Sequence, residues 1–121
     1  MSTEFDVKES DKIRGLYVLT PSIATDLRGN IWTSFIKNEV EKLLPSNLSF
    51  IHDKFSVSKH NVLRGVHGDN KSWKLVTCVH GEIQQVVVDM RKESPTYKQW
   101  QDFIISGDNQ YLILIPPNMG N

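Results

Sequence analysis

The stretch Gln99-Trp-Gln-Asp-Phe-Ile-Ile-Ser106, Gly107-Asp-Asn109, Gln110-Tyr-Leu-Ile-Leu-Ile115 indicates the fold class of this chain. Two runs rich in β-branched and aromatic residues flank a Gly-Asp-Asn segment, which is a strong signal for a tight turn. Pro116 and Pro117 then interrupt the pattern, because proline cannot donate a backbone hydrogen bond to a sheet. We therefore predict two β-strands joined by a tight turn.

The same pattern recurs upstream at short spacing. Apolar runs at 73–80 and 83–91 flank the turn signal Gly81-Glu82, and further strands are predicted at residues 16–20, 30–35, 48–58 and 62–67. Helical spacing is confined to residues 36–44, where Pro45 ends a short helix. Many short strands with Gly and Pro turns predict an all-β sandwich or barrel.

Composition limits the other classes of protein. The chain has 121 residues, which fits a single domain spanning 1–121. Lys plus Arg and Asp plus Glu both number 14, so the net charge of zero gives no support to nucleic-acid or membrane-surface binding. Cys78 is the single cysteine and is expected to be a buried apolar residue. Without a secretory-type apolar segment near the N-terminus, we expect a cytoplasmic protein.

Polar residues alternate with apolar ones after Phe50. His52, Lys54 and Ser56 share one face of the predicted strand, and Phe55 lies on the other. This pattern fits a surface strand with its polar face in water. It also fits a strand whose polar face lines a ligand cavity inside a barrel.

Arg64 and His67 flank Gly65 within an apolar run. A glycine inside a strand often marks a bulge, which would let both side chains face one cavity. Arginine suits bidentate phosphate binding, and histidine suits proton transfer near neutral pH. A structural, hydrogen-bonded histidine is the alternative interpretation of His67.

Two further cations stand at defined places. Lys74 opens an apolar strand, where it is either functional or an edge residue whose ammonium reaches water. Arg28 lies in the turn signal Asp26-Leu-Arg-Gly29 and could simply pair with Asp26. No His or Cys spacing typical of a metal site occurs, so we predict no metal.

The order of these motifs resembles that of the dTDP-4-dehydrorhamnose 3,5-epimerase family, from Ile13-Arg-Gly15 to the last residues. The motifs that carry the resemblance are Asp26-Leu-Arg-Gly29, Phe50-Ile-His-Asp-Lys-Phe-Ser56, Val62-Leu-Arg-Gly-Val-His67, Lys74-Leu-Val76, Gly81-Glu82, Val88-Asp-Met-Arg91, Ser94-Pro-Thr-Tyr97 and Ile115-Pro116. The resemblance implies a cupin-type jelly-roll barrel, a homodimer and a reaction without a cofactor. The implied reaction epimerises C3, C5 or both in a nucleotide-linked 4-keto sugar.

The resemblance also implies roles for individual residues. His67 matches the catalytic base, and Lys74 matches the lysine that stabilises the enolate oxygen. Arg28 and Arg64 match the arginines that hold the diphosphate. His52, Lys54 and Ser56 fall on the pocket-facing strand, which makes them substrate-binding candidates.

Several positions depart from the family pattern. His52 and Lys54 replace Gln and Asn, Thr33 replaces a Glu, and Gln85 replaces an Asp. Gly68-Asp69 follows His67 in place of an aromatic-Gln pair. These changes suggest a different nucleotide or sugar, such as a GDP-linked 4-keto heptose or deoxysugar.

Two alternatives remain open at this level: a non-catalytic nucleotide-sugar-binding relative, and a 3,4-ketoisomerase on the same fold. By resemblance, the Tyr that returns the proton and the Asp that orients the histidine follow the Ile-Pro motif and have no counterpart up to Asn121. We therefore expect that the C-terminal strands of the barrel are missing and that the sequence is part of a longer one.

Overall fold

The computed structural model describes residues 5–121. Within that range the regular secondary structure is almost entirely β, with one short helix, which confirms the all-β prediction. The elements are β1 (Phe5–Glu9), β2 (Tyr17–Pro21), β3 (Ile23–Asp26), β4 (Gly29–Trp32), α1 (Lys37–Glu41), β5 (Lys74–Val76), β6 (Glu82–Asp89), β7 (Trp100–Ser106), β8 (Leu112–Ile115) and β9 (Met119–Gly120).

The first sheet has the strand order β1-β2-β8-β5, and all its pairs are antiparallel. Strand β8 is central and its four residues are all buried. Alternation along β8 divides the sheet into two apolar faces. Ile113 and Ile115 belong to one core cluster, whereas Leu112 and Leu114 belong to another.

The second sheet, with the order β7-β6-β9, packs against the Ile113 and Ile115 face of the first. Val87, Phe103 and Ile105 are its main contributions to the shared core. The space between the two sheets is therefore filled by the inward side chains of both. We call this region the sandwich core, with members Ile13, Leu16, Cys78, Val87, Phe103, Ile105, Ile113, Ile115 and Met119.

The short helix α1 covers the opposite face of the first sheet. Val40 and Leu44 pack there with Leu19, Leu112 and Leu114. The predicted helix over 36–44 is confirmed, although only residues 37–41 are regular α-helix. Its last turn loosens toward Pro45, as expected for a chain approaching a proline.

Strands β3 and β4 form a separate two-stranded hairpin in which almost every residue is exposed. Gly29 has φ of 126° in the turn between them, a conformation that side-chain-bearing residues rarely adopt. The hairpin lies outside both core clusters.

The strands predicted at residues 48–58 and 62–67 are absent, so this prediction was wrong. Within the described range neither segment belongs to a strand, and His67 alone of these residues exchanges a pair of backbone hydrogen bonds with another segment, at Asn121. We call residues 48–67 the arm. Ile51, Phe55 and Leu63 of the arm are 84–89% exposed. An alternating pattern favours an extended backbone, but a strand also needs a hydrogen-bonding neighbour.

The predicted tight turn at Gly107 is present, whereas the two-residue turn predicted at Gly81-Glu82 is wrong, because Glu82 already belongs to β6 and residues 77–81 form the connection. The Gly107 turn leads from β7 in the second sheet to β8 in the first. The segment around Gly81 leads from β5 to β6 in the same way. Within residues 5–121, no helix is long and apolar enough to cross a membrane.

Candidate active site

His67 is held by the last residue of the chain. Its backbone N–H donates to the Asn121 carbonyl at 2.7 Å, and the Asn121 N–H donates back at 2.9 Å. Side chains of such a directly opposed pair point to the same side. Asn121 is two residues from Met119, a member of the sandwich core. The His67 side chain therefore leaves its segment on the side of the sandwich core, and it is exposed.

The neighbouring residue confirms this direction. A Cβ atom built on Gly120 would lie 2.8 Å from the Val66 Cγ1 and 2.8 Å from the Val88 Cγ1. Val66 therefore lies on the opposite side of β9 from Met119. Because successive side chains of an extended segment alternate, His67 faces the core side.

Lys74 faces the same space from the other sheet. It is the first residue of β5 and pairs with Ile115 of β8. Lys74 shares its face with Val76, which packs against the sandwich core. Its side chain is half-buried. The register therefore turns His67 and Lys74, the two predicted catalytic residues, toward the same side, that of the sandwich core.

Residues 68–73 connect the two. A Cβ atom on Gly68 would lie 2.7 Å from the Met119 carbonyl oxygen, so only glycine allows this approach. The Asp69 carbonyl accepts the Asn118 N–H at 2.8 Å. The Asp69 Oδ1 atom accepts the N–H groups of Lys71 and Ser72 at 2.8 and 2.6 Å. These backbone donors, Ser72 first, lower the pKa of Asp69, and the charge of Lys74 adds to the effect.

A cavity of about 470 Å³ lies beside this segment, lined by Val66, His67, Asp69 and Met90 among others. Lys74 does not line it. Val66 and Met90 lie around the Gly120 side of β9. The cavity therefore extends along the Gly120 side of β9 and also reaches His67 and Met119.

The other predicted binding residues lie on the arm. Arg64 donates to the Ser58 Oγ at 2.8 Å and to the Val57 carbonyl at 3.3 Å. Its guanidinium is therefore oriented by the arm itself. His52, Lys54 and Ser56 are exposed and make no hydrogen bond or ion pair with another residue of the range 5–121.

Arg28 lies at the tip of the β3–β4 hairpin, where it pairs with Asp26 at 2.6 Å. This is the local pairing that the sequence suggested as an alternative. The bond with Arg28 lowers the pKa of Asp26 and raises the pKa of the guanidinium. Arg28 lines neither the cavity beside His67 nor the sandwich core.

Sequence reasoning named Gln85 and Asp69 only as departures from a pattern. Gln85 pairs with Phe103 across β6 and β7 and shares its face with Val87, so it is a polar residue on the core side. Its amide donates to the Val86 carbonyl at 3.3 Å. Alternation along residues 83–91 could have revealed the direction of Gln85.

The buried Nε1 of Trp32 has no hydrogen-bond partner among the described residues. Trp32 lines a second cavity, of about 400 Å³, with Ile23, Ile31 and Thr33. Across residues 5–121, no three His, Cys, Asp or Glu side chains are grouped so that they could hold a metal ion.

Comparison with known proteins identifies the class. Residues 10–121 match the sequence model of the dTDP-4-dehydrorhamnose 3,5-epimerase family. The dTDP-4-dehydrorhamnose 3,5-epimerase of Salmonella typhimurium is 40% identical over 107 residues, covering 86% of this chain and 58% of that protein. The Escherichia coli protein of the same name is 36% identical over 108 residues, covering 87% and 58%. The chain thus spans 58% of the length of both relatives.

Solved structures agree. The Legionella pneumophila dTDP-6-deoxy-D-glucose-3,5-epimerase in complex with dTDP-4-keto-L-rhamnose superposes with a TM-score of 0.86 at 36% identity, covering 96% of this chain and 62% of that one. A Bacillus anthracis dTDP-4-dehydrorhamnose 3,5-epimerase with TDP and PPi bound gives 0.82 at 32% identity, covering 96% and 67%.

The fold thus defines a jelly-roll protein of the cupin type, which confirms the predicted class. Within that class, the chain belongs to the dTDP-4-dehydrorhamnose 3,5-epimerase family.

Proposed function

We propose that the protein epimerises C3, C5 or both in a nucleotide-linked 4-keto sugar, without a cofactor. One observation carries the proposal: the backbone pairing of His67 with Asn121 and of Lys74 with Ile115 turns both side chains toward the side of the sandwich core. Family membership supports it, and so does the dTDP-4-keto-L-rhamnose bound to the Legionella pneumophila relative.

The chemistry needs a base and a positive neighbour. His67 takes the proton from the carbon next to the ketone, the electron pair of that C–H bond forms a C=C bond to the carbonyl carbon, and the π pair of the carbonyl moves to its oxygen. The Lys74 ammonium stabilises the resulting enolate oxygen. A proton then returns to the same carbon from the opposite face, which inverts the centre without a net change in composition.

Binding of the nucleotide diphosphate is assigned to Arg28 and Arg64, with the sugar or base contacting His52, Lys54 and Ser56. The support is chemical: guanidinium groups bind phosphate oxygens well. Arg28 stands on a hairpin away from the sandwich core, so we propose a homodimer in which this hairpin serves the site of a second copy. The expected signature is a dimer in solution, together with Arg28→Ala weakening binding while the melting temperature stays unchanged.

We further propose that the reaction takes place in the cytoplasm. The free thiol of Cys78 is compatible with a reducing compartment.

Proton exchange in heavy water tests the function. The protein is incubated with dTDP- and GDP-linked 4-keto sugars, and the C3 and C5 protons are followed by NMR. We expect exchange at one or both carbons, with His67→Asn slowing it by about 10²–10⁴-fold. Lys74→Met should also slow exchange. His60→Asn in the arm and Lys71→Met in residues 68–73 change exposed side chains and are the matched controls.

The outcomes separate the alternatives. A product with its keto group moved to C3 would indicate a 3,4-ketoisomerase. Retained binding of nucleotide sugar without any exchange would indicate a non-catalytic binding protein. The nucleotide whose sugar exchanges faster identifies the substrate class.

A further inference from the structure

A short connection, residues 68–73, joins His67 to Lys74, and the side chain of Asp69 caps its backbone. Only residues 68–73 separate the two side chains assigned to base and enolate stabilisation. Within this connection the Asp69 Oδ1 atom accepts two backbone N–H groups, from Lys71 and Ser72. A side chain that accepts the N–H groups two and three residues ahead fixes the local chain direction, as in an Asx turn.

Both ends of the connection are anchored independently. His67 exchanges two hydrogen bonds with Asn121 at the end of the β9 segment. Lys74 pairs with Ile115 on the first sheet. The connection therefore runs from the His67–Asn121 pair beside β9 to the first sheet, and its shape sets the position of His67 relative to Lys74.

Asp69 also joins the connection to β9. Its carbonyl accepts the Asn118 N–H, and the Cα of Gly68 lies against the Met119 carbonyl. The connection is thus fixed at three points around one residue: the Oδ1 cap, the carbonyl bond and the glycine contact.

The charge of Asp69 has few neighbours. Along the chain, His67 and Lys71 are its nearest titratable neighbours. On β5, the charge of Lys74 lowers the pKa of the carboxylate. The β9 segment packed against it provides Asn118, Met119 and Gly120, which carry no charge. The backbone bonds of the carboxylate are therefore its main local interaction.

We propose that Asp69 is a positioning residue, whose cap on the connection sets the geometry of His67 relative to Lys74. The proposal rests on the proposed function for its catalytic consequence. It assigns a role to a residue that the sequence marks only as a departure from the family pattern.

Three variants test it. Asp69→Asn keeps an Oδ1 acceptor and removes the charge, whereas Asp69→Ala removes both. Asp108→Ala removes a carboxylate from another turn, where it makes no hydrogen bond with a described residue. Rates of epimerisation, KM values and melting temperatures are measured for each.

We expect Asp69→Ala to lower kcat by about 10²-fold with little change in KM, because small displacements of catalytic groups have effects of that size. Asp69→Asn should stay within about threefold of the wild type, since Asn and Asp cap equally well. Asp108→Ala should match the wild type. A wild-type kcat for Asp69→Ala would overturn the proposal. So would equal losses in Asp69→Ala and Asp69→Asn, which would indicate a role for the charge instead.

Amide hydrogen exchange separates this proposal from the proposed function. In Asp69→Ala, the His67 and Asn121 amides should exchange faster than in the wild type, and in Asp69→Asn they should not. If the wild type moves no proton on any 4-keto sugar, the function fails while this measurement still tests the positioning. Unchanged His67 and Asn121 exchange in Asp69→Ala would overturn the positioning itself.

Discussion

The sandwich core and the arm share an apolar sequence pattern but differ in burial and in strand pairing. Both contain alternating apolar residues, and both were predicted to be strands. Val87, Ile105 and Ile113 of the sandwich core are fully buried, whereas Val57 and Leu63 of the arm are about nine-tenths exposed. The difference lies in pairing: β6 and β8 each have two neighbouring strands, whereas among the described residues the arm belongs to no strand ladder and pairs with another segment only at His67. An apolar pattern therefore predicts extension, and a partner decides burial.

Polar groups show the same contrast. Asp89 is fully buried at the end of β6 and accepts hydrogen bonds from the Arg91 guanidinium, the Arg91 N–H and the hydroxyls of Ser94 and Thr96. Arg91 also donates to the Arg14 carbonyl, which ties the β1–β2 loop to the same point. Asp53 of the arm is exposed and makes no such bonds with described residues.

We expect the largest difference in stability between the regions when these two aspartates are replaced. Asp89→Ala leaves the partly buried guanidinium and two hydroxyls without their acceptor, so it should lower the free energy of unfolding by about 3–5 kcal/mol. Asp53→Ala should lower it by less than about 0.5 kcal/mol. Urea denaturation measures both. Similar losses would show that the arm is as structured as the sandwich.

Apolar truncation gives the next largest difference. Ile113→Ala opens a cavity in the sandwich core and should cost about 2–5 kcal/mol in the free energy of unfolding. Phe55→Ala removes an 84% exposed ring and should change it by less than about 0.5 kcal/mol. Thermal unfolding of the two variants provides the comparison. A large loss for Phe55→Ala would mean that the ring is covered in solution, for example by a second copy.

The smallest expected effect is the dependence of the free energy of unfolding on pH. Hydrogen bonds from Arg91, Thr96 and Ser94 outweigh burial and lower the pKa of Asp89 well below its usual range. A lowered pKa in the folded state stabilises the fold above the unfolded value of about 4, and this stabilisation is lost as the pH falls through the folded pKa. The free energy of unfolding should therefore decrease below about pH 4. The slope should be shallower in Asp89→Asn, measured by urea denaturation from pH 6 to pH 3. Equal slopes would remove Asp89 as a cause.

Part of the candidate site could be predicted from the sequence. His67 and Lys74 were selected from residue chemistry and family resemblance, and the structure directs both toward the sandwich core. Asp69 could not be assigned a role, because its two backbone bonds depend on a turn that no pattern specified. The position of Arg28 on a hairpin outside the core was likewise not predictable, since it depends on which strands pair.

The sequence by itself determined the segments of β2 and of β5 to β8, the short helix before Pro45 and the family, because these follow from local periodicity, turn residues and the order of motifs. Only the tertiary structure revealed β1 and β9, placed β8 between β2 and β5, connected different sheets at Gly81 and Gly107, and left the arm outside every strand ladder. The physical reason is that alternation fixes which side chains share a face. Which backbone completes the hydrogen bonds is set by contacts between segments distant in the chain.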